Sequence, residues 1–522
     1  MSSPVSGQER RLHRFHGGLR LRHNKQVACR YPLTRLPLPE VLVVPLLQHR
    51  GAPARCIVTE GQRVLKGQVL GDLPTDPSGS AIRSARIHAP TSGTVRAIEN
   101  RTMAHATGQA GPCVILEADG EDAWMPCEGM PDAFRASPGQ LRQRLREAGV
   151  VGLGGAVFPT DHKVAEPAPL HTLILNGAEC EPYIACDEML MREQPDRLLA
   201  GAELLRRAVG AERVVIAIED QMDQVAKALR RVVAPPGAAA TEVVRVPALY
   251  PEGGERQLVQ TLTGQEVPDG GTPRELGLLV QNVATAVAAR DAIIDGRPLI
   301  ERIVTVTGNG VRDPRNFIAL IGTPVGELID AAGGYTDTVA RLVVGGPMMG
   351  FPLPNDGEPV TKATNCLLAL SADDVRPTQP EMPCIRCGDC ASACPARLLP
   401  QTLLFHARAS QWDEAQALGV NACIECGCCD FVCPSHIPLT RWFRHAKGEV
   451  RAQARERAVA AAAKERFEAR EARLAREKQE KADRQARRKR KLKDEAARKK
   501  QIAAALARVR EKRDQAPGGE SD

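Results

Sequence analysis

Two cysteine runs constrain this chain more than any other feature. The first is Cys384-Ile-Arg-Cys387-Gly-Asp-Cys390-Ala-Ser-Ala-Cys394-Pro395, and the second is Cys423-Ile-Glu-Cys426-Gly-Cys-Cys429-Asp-Phe-Val-Cys433-Pro434. Both read C-x₂-C-x₂-C-x₃-C-P. Three thiolates at this spacing wrap one loop around a corner of an iron–sulfur cubane. The fourth follows a helical turn later, and the proline stops direct continuation. In such a pair the fourth cysteine of each run ligates the cluster of the other. The spacing therefore predicts one [4Fe-4S] cluster on Cys384, Cys387, Cys390 and Cys433, and a second on Cys423, Cys426, Cys429 and Cys394. Zinc sites usually use two C-x₂-C pairs and stop there, so the trailing Cys-Pro in both runs favours iron–sulfur. Cys428 is an extra thiol inside the second run, but the C-x₂-C spacing selects Cys429.

The chain has 522 residues, enough for several domains, and 16 cysteines in all. Met1–His16 has no apolar h-region, so the sequence predicts no export, and clustered thiols in a reducing compartment point to metal rather than disulfides. No stretch approaches the ~20 apolar residues of a membrane span. Aromatics are only 3%, which argues against stacking on bases, and no nucleic-acid partner is expected. The formal charge of +7 belongs to one end: residues 447–522 hold 25 Lys and Arg against 14 Asp and Glu. This Ala/Arg/Lys/Glu-rich tail has no Gly or Pro from Val450 to Ala516. It reads as a solvated helical or disordered segment without a catalytic role; the alternative is a basic arm for an acidic partner or anionic lipid heads.

The remainder reads as a multidomain α/β and α+β chain. Residues 1–135 are expected to form an N-terminal β hairpin-sandwich, because Val41–Glu117 alternates apolar and polar residues between Gly turns. It resembles biotinyl and lipoyl carrier domains without their attachment site, and Lys66 reads as a solvent-facing turn residue. Residues 136–300 alternate strands (Thr172–Leu175, Arg213–Ile218, Glu242–Val246, Leu278–Gln281) with helices (Gln140–Ala148, Arg197–Ala208, Asp223–Val232, Arg256–Leu262). That pattern implies a mainly parallel sheet with ligands at its strand carboxyl ends. Residues 301–370 form a smaller α+β module. Residues 371–446 carry the cysteines around a helical pair, and 447–522 are the tail.

Within the α/β region, Gly152-Leu-Gly154-Gly155-Ala-Val-Phe158-Pro159-Thr160, with Lys163 beyond it, follows a helix rather than a strand, so it is not a Rossmann fingerprint. Three polar groups accompany it after strands: Asn176-Gly-Ala-Glu179-Cys-Glu181, Glu252-Gly-Gly-Glu255, and Asn282-Val-Ala-Thr285. Each alone reads as a turn or cap; together they favour a nucleotide pocket.

In domain order and motif, from Phe15 to Arg444, the chain resembles the RnfC (RsxC) family, the NADH-side subunits of the Rnf ion-translocating electron-transport complex. The Gly152–Thr160, Asn176–Tyr183 and Asn282–Thr285 segments are similar to the FMN and NADH pocket of the flavoprotein subunit of respiratory complex I. Glu301–Gly350 resembles a soluble-ligand-binding (SLBB) β-grasp domain. The resemblance implies that Gly152, Gly154, Gly155 and Lys163 hold FMN. It also implies that Asn176, Glu179, Asn282 and Thr285 line the flavin, and that Glu255 contacts NADH. Glu255, Glu179 and Lys163 are then the expected catalytic residues. Val157 stands where these families usually have Gly, and Ala178 where the complex I pattern has Asp. The resemblance further implies integral membrane and iron–sulfur partner subunits and a peripheral place on the cytoplasmic face of the bacterial inner membrane. The competing readings are a cobalamin reductase of the propanediol-utilisation type and a cluster-only relay scaffold.

Overall fold

The computed structural model describes residues 11–75, 82–165, 169–233, 241–375 and 379–514, in two compact units, Met1–Ala446 and Lys447–Asp522. In the first unit, alternation along Val41–Pro45 turns Leu42 and Val44 inward, both fully buried. That strand pairs with Ala110–Ala118, which pairs in turn with Gly93–Thr102. A second sheet of Arg55–Cys56, Val69–Asp72 and Ile87–His88 closes over the same core of Leu70, Ile87, Val95 and Leu116. The two-sheet sandwich is as expected; the reading of Lys66 is corrected. It is buried, ion-paired to Asp122 at 2.6 Å and set over the Trp124 ring.

Four parallel strands make the α/β domain, in the order Thr241–Val246, Arg213–Glu219, Thr172–Gly177, Leu278–Asn282. Both faces are covered. Leu173 and Leu175 pack toward the helices Pro195–Val209 and Val283–Ile294, while Ile174 faces the helix Glu255–Thr263. This period of two, apolar on both faces, marks a buried parallel sheet. One expectation is corrected here: Thr285 does not end a strand. The strand stops at Asn282, whose side chain accepts from the Ala284 amide at 2.8 Å and caps the helix Val283–Ile294. That helix is apolar nearly all round because it is sandwiched, so it shows no amphipathic period.

The third module is a six-stranded sheet: Thr34–Arg35, Arg315–Leu320, Glu301–Thr307, Cys366–Ser371, Val339–Val344, Phe351–Pro352. Its first strand comes from the segment assigned to the N-terminal domain, with Thr34 in register with Phe317. The expected 1–135 unit is corrected accordingly. Upstream of residue 36 the chain is a strap across the molecule: the His13 amide donates to Thr261 O (2.9 Å), Gly18 to Ala393 O (3.1 Å) and Leu19 to Tyr250 O (2.7 Å). These are backbone bonds to distant sequence, which leave no periodic pattern to read. Lys362 ties three modules together, donating to Gly149 O (2.7 Å) and Arg86 O (3.1 Å) from a fully buried position.

The last helix, Leu439–Asp514, runs into the second unit, where almost every residue is exposed. Among the described residues no helix is long and apolar enough to cross a membrane.

Gly201 marks the closest approach of two helices. A Cβ there would stand 1.8 Å from Ala286 O. Gly201→Ala is therefore expected to cost about 1–3 kcal/mol, read as a lowered thermal midpoint. An unchanged midpoint would mean that the helices part without strain.

Candidate functional site

The two cysteine runs fold into similar loops, each opening a short helix, Asp389–Ala393 and Cys428–Phe431. Gly388 (φ +86°) and Gly427 (φ +75°) take the left-handed turn before each helix. The loops face one another. One cavity is lined by Cys384, Cys387, Cys390 and Cys433, with Ile385, Leu404 and Ile437 among its apolar walls. The other is lined by Cys394, Cys423, Cys426 and Cys429, with Leu398, Ile424 and Phe443. Each cavity thus takes three thiols from one run and the fourth from the other.

Donor spacing bears on what fits there. Tetrahedral zinc, with Zn–S near 2.3 Å, would draw its sulfurs to within roughly 4 Å of each other. Among the described residues only Glu179, Cys186 and Asp187 bring three ligand atoms within 4.8 Å of one another, so no three of the eight sulfurs are that close. The sets are too wide for one zinc ion and suit a larger inorganic core. Backbone amides also reach the sulfurs: Leu398 N to Cys394 Sγ and Glu425 N to Cys423 Sγ, each 3.4 Å. Cys428 lines the second cavity as well, and its thiol donates to Cys426, holding the Cys426 thiol below its ordinary value.

The polar groups expected around a nucleotide do gather at the carboxyl ends of the parallel strands. Asn176 and Asn282 are register partners on adjacent strands. Asn176 Nδ2 donates to Gly253 O at 2.8 Å, joining two of the loops. Gly253 must be glycine, since a Cβ would lie 2.2 Å from Ala178 O. Lys163 and Glu255 meet in an ion pair of 2.9 Å, and Lys163 Nζ also donates to Val280 O at 2.6 Å. Thr285 is fully buried; its hydroxyl accepts from Leu153 N at 2.9 Å and so positions the glycine loop from beneath. Gly152 N closes the loop on Phe158 O at 2.9 Å. Gly154 sits against Asn282, where a Cβ would come within 3.2 Å of that side chain. Gly155 takes φ +93° with nothing within 4 Å of where a Cβ would point, an open cradle at the crest. Val157 adopts φ +41°, uncommon for a β-branched residue, and packs against Val151, Leu153 and Leu299.

Several groups at this site carry no sequence signal. Glu179 lies under the start of the helix Cys186–Glu193, accepting from Asp187 N (3.1 Å) and Glu188 N (3.3 Å). Asp187 in turn accepts from Asn282 Nδ2 at 2.6 Å. Lys25, delivered by the N-terminal strap, is buried, pairs with Glu219 at 3.2 Å and donates to Glu179 O. With Lys25 and Arg302 both close by, the Glu179–Cys186–Asp187 group already has its counter-charge. Burial pushes the Glu179 carboxyl up to about 8, against the pull of Lys25, and the Glu252 carboxyl up to about 8. Burial likewise raises Glu181 to about 7, although it accepts from the amides of Met348 (3.2 Å) and Met349 (2.8 Å).

The seam between the α/β domain and the cysteine loops is tight. Tyr250 donates its hydroxyl to Cys426 O at 2.7 Å, and a Cβ on Gly427 would meet Met348 O at 3.1 Å. The cavity of Cys394, Cys423, Cys426 and Cys429 is therefore the inner one. The other is flanked by exposed Cys384, Cys387, Ile385 and Phe405.

Comparison with known proteins agrees with this layout. Residues 13–121 match the RnfC barrel sandwich hybrid domain, 145–291 the Nuo51 FMN-binding domain, and 303–352 the SLBB domain. Relatives named as RnfC-type members of an ion-translocating oxidoreductase complex include one from Pseudomonas aeruginosa, 47% identical over 90% of this chain and 60% of its own length. Another, from Klebsiella pneumoniae, is 45% identical over 95% and 65%. The chain is a homologue of the RnfC subunits. A third RnfC relative, from Edwardsiella ictaluri, is 45% identical over 90% of this chain and 58% of its own. The chain thus spans about three fifths of the length of these relatives. Among solved structures, an NAD+-reducing [NiFe]-hydrogenase in the H2-reduced state is similar with a TM-score of 0.43 at 20% identity, covering 58% of this chain and 61% of that one.

Three buried carboxyls with raised values set the pH response of this site. A carboxyl whose folded value exceeds its ordinary 4.5 holds its proton longer when folded, so stability is lost as pH rises from there toward 7–8. The thermal midpoint should fall between about pH 5 and 8, and Glu252→Gln should make the fall shallower. Equal slopes in the two proteins would show that Glu252 does not titrate there.

Proposed function

We propose that the chain is the peripheral electron-input subunit of a membrane-bound, ion-translocating oxidoreductase complex. In this reading it passes electrons between NADH, FMN, two [4Fe-4S] clusters and a partner iron–sulfur subunit, and integral membrane partners couple the transfer to ion movement at the cytoplasmic face of the inner membrane. One observation carries it: two four-thiol cavities that exchange their fourth cysteine, abutting a domain of the FMN-binding type through Tyr250.

Bound FMN would supply the exchange between a two-electron hydride and the single electrons that clusters accept. The chain's own residues give it a place. Gly152, Gly154 and Gly155 form the loop for its phosphate side, and the Lys163 ammonium supplies positive charge. Asn176 and Asn282 hold the strand ends in register, and Glu179 closes the floor. Thr285 acts beneath, as a positioning residue. Glu255, half exposed and paired to Lys163, stands where a nicotinamide nucleotide would approach. The match to an FMN-binding domain weighs against a cluster-only scaffold.

In the ferredoxin-like region, 371–446, the inner cavity faces the flavin side. The outer one, beside exposed Ile385 and Phe405, suits the docking of a partner subunit.

An anaerobic preparation should contain about eight irons and eight labile sulfides per chain, with one flavin. Zinc in their place would overturn the assignment. Cys394→Ala gives a sharper test. It should deplete the cluster of the second run, Cys423 to Cys429, and spare the one bound by its own sequence neighbours; the reverse loss in the reduced paramagnetic spectrum would refute the exchange. Lys163→Ala should lower NADH-dependent dye reduction at least about tenfold with iron content unchanged. Wild-type turnover in that variant would remove Lys163 from the site.

A further inference from the structure

The second unit is one exposed helix, and its charge is unevenly spread. From residue 447 to 483, 11 basic residues stand against 8 acidic ones, with i,i+4 pairs at Lys464–Glu468 and Arg473–Glu477. From 484 to 513 there are 14 Lys and Arg against 3 acids, a net +11 over 30 residues. Seven of those cations fall within residues 484–493: Arg484, Arg487, Arg488, Lys489, Arg490, Lys491 and Lys493. At 3.6 residues per turn they point all round the helix. Such a segment repels itself unless it lies against negative charge.

The stretch beyond adds an apolar stripe. Ile502, Leu506 and Val509, at i, i+4 and i+7, share one face and are 52%, 60% and 62% exposed. Arg498, Lys499, Lys500, Arg508, Arg510 and Lys512 flank it.

We propose that residues 484–513 bind the surface of an anionic lipid bilayer, with cations among the headgroups and Ile502, Leu506 and Val509 entering the acyl boundary. A basic helix with a narrow apolar face is the form that lies in that interface, and cations distributed around a helix match a diffuse sheet of phosphates. A duplex would use the cations but not the apolar stripe, and the segment has no aromatic residue for stacking on bases. An acidic protein would call for the cations to be gathered on one face. This inference is independent of the electron-transfer reading, since lipid binding is measured without NADH.

The test is flotation of the full-length, cluster-loaded protein with vesicles. It should float with phosphatidylcholine vesicles containing about one third phosphatidylglycerol, not with pure phosphatidylcholine, and the binding should weaken as salt rises. Ile502→Gln/Leu506→Gln/Val509→Gln should lose at least about tenfold in partitioning, and Arg484→Gln/Arg487→Gln/Arg488→Gln/Lys489→Gln a comparable amount. Glutamine is a good helix former, so helicity by circular dichroism and iron content should match wild type in both. Equal partition into the two vesicle types would overturn the proposal. So would an apolar variant that binds like wild type, or displacement of the protein from vesicles by an acidic polypeptide or by duplex DNA.

Discussion

The fold of the cysteine region depends on one exchange. Cys394 belongs to the first run but lines the second cavity, and Cys433 does the converse. Neither loop can close its own site. The two runs are therefore held face to face by the chemistry of their thiols as much as by apolar packing, which is thin here: Ile385 and Phe405 remain exposed. The Cys-Pro steps matter because each proline turns the chain away immediately after the exchanged sulfur. Everything placed against this region, including Tyr250 and the strap at Ala393, inherits its position from that exchange.

A second constraint joins the cysteine region to the α/β sheet. Glu181 grips the amides of Met348 and Met349, and Met348 lies against Gly427. Tyr250 reaches Cys426 from the loop that also carries Glu252 and Gly253. Three modules thus meet through single side chains rather than a broad apolar face. The arrangement gives a short, fixed separation between the strand ends and the inner cavity, which electron transfer requires.

Much of this was legible in the sequence, for identifiable reasons. The cysteine runs impose their spacing on any fold, so the crossed grouping follows from the motif. The strands from Thr172 and Arg213 are apolar on both faces and bounded by helices with clear periods, so the parallel sheet follows as well. Three features were hidden. The helix Val283–Ile294 is buried nearly all round, which erases the amphipathic signal and made Thr285 look like a strand end. Residues 11–35 bind mainly through their backbone to partners far along the chain, so no local pattern marks Lys25 or the strand Thr34–Arg35. Lys66 looked like a turn lysine because its carboxylate partner, Asp122, comes from a separate loop.

The N-terminal strap also bears on biogenesis. It leaves the ribosome before Tyr250, Phe317 and Ala393, the residues it must bond. At typical elongation speeds of about 5–20 residues per second, the wait for Ala393 is on the order of tens of seconds. Over that interval the strap has no hydrogen-bonding mate, and Lys25 has no Glu219. The nascent chain would carry a cationic, unpaired leader past its own α/β domain until the cysteine loops emerge, making the last-synthesised module the latch that seats the first.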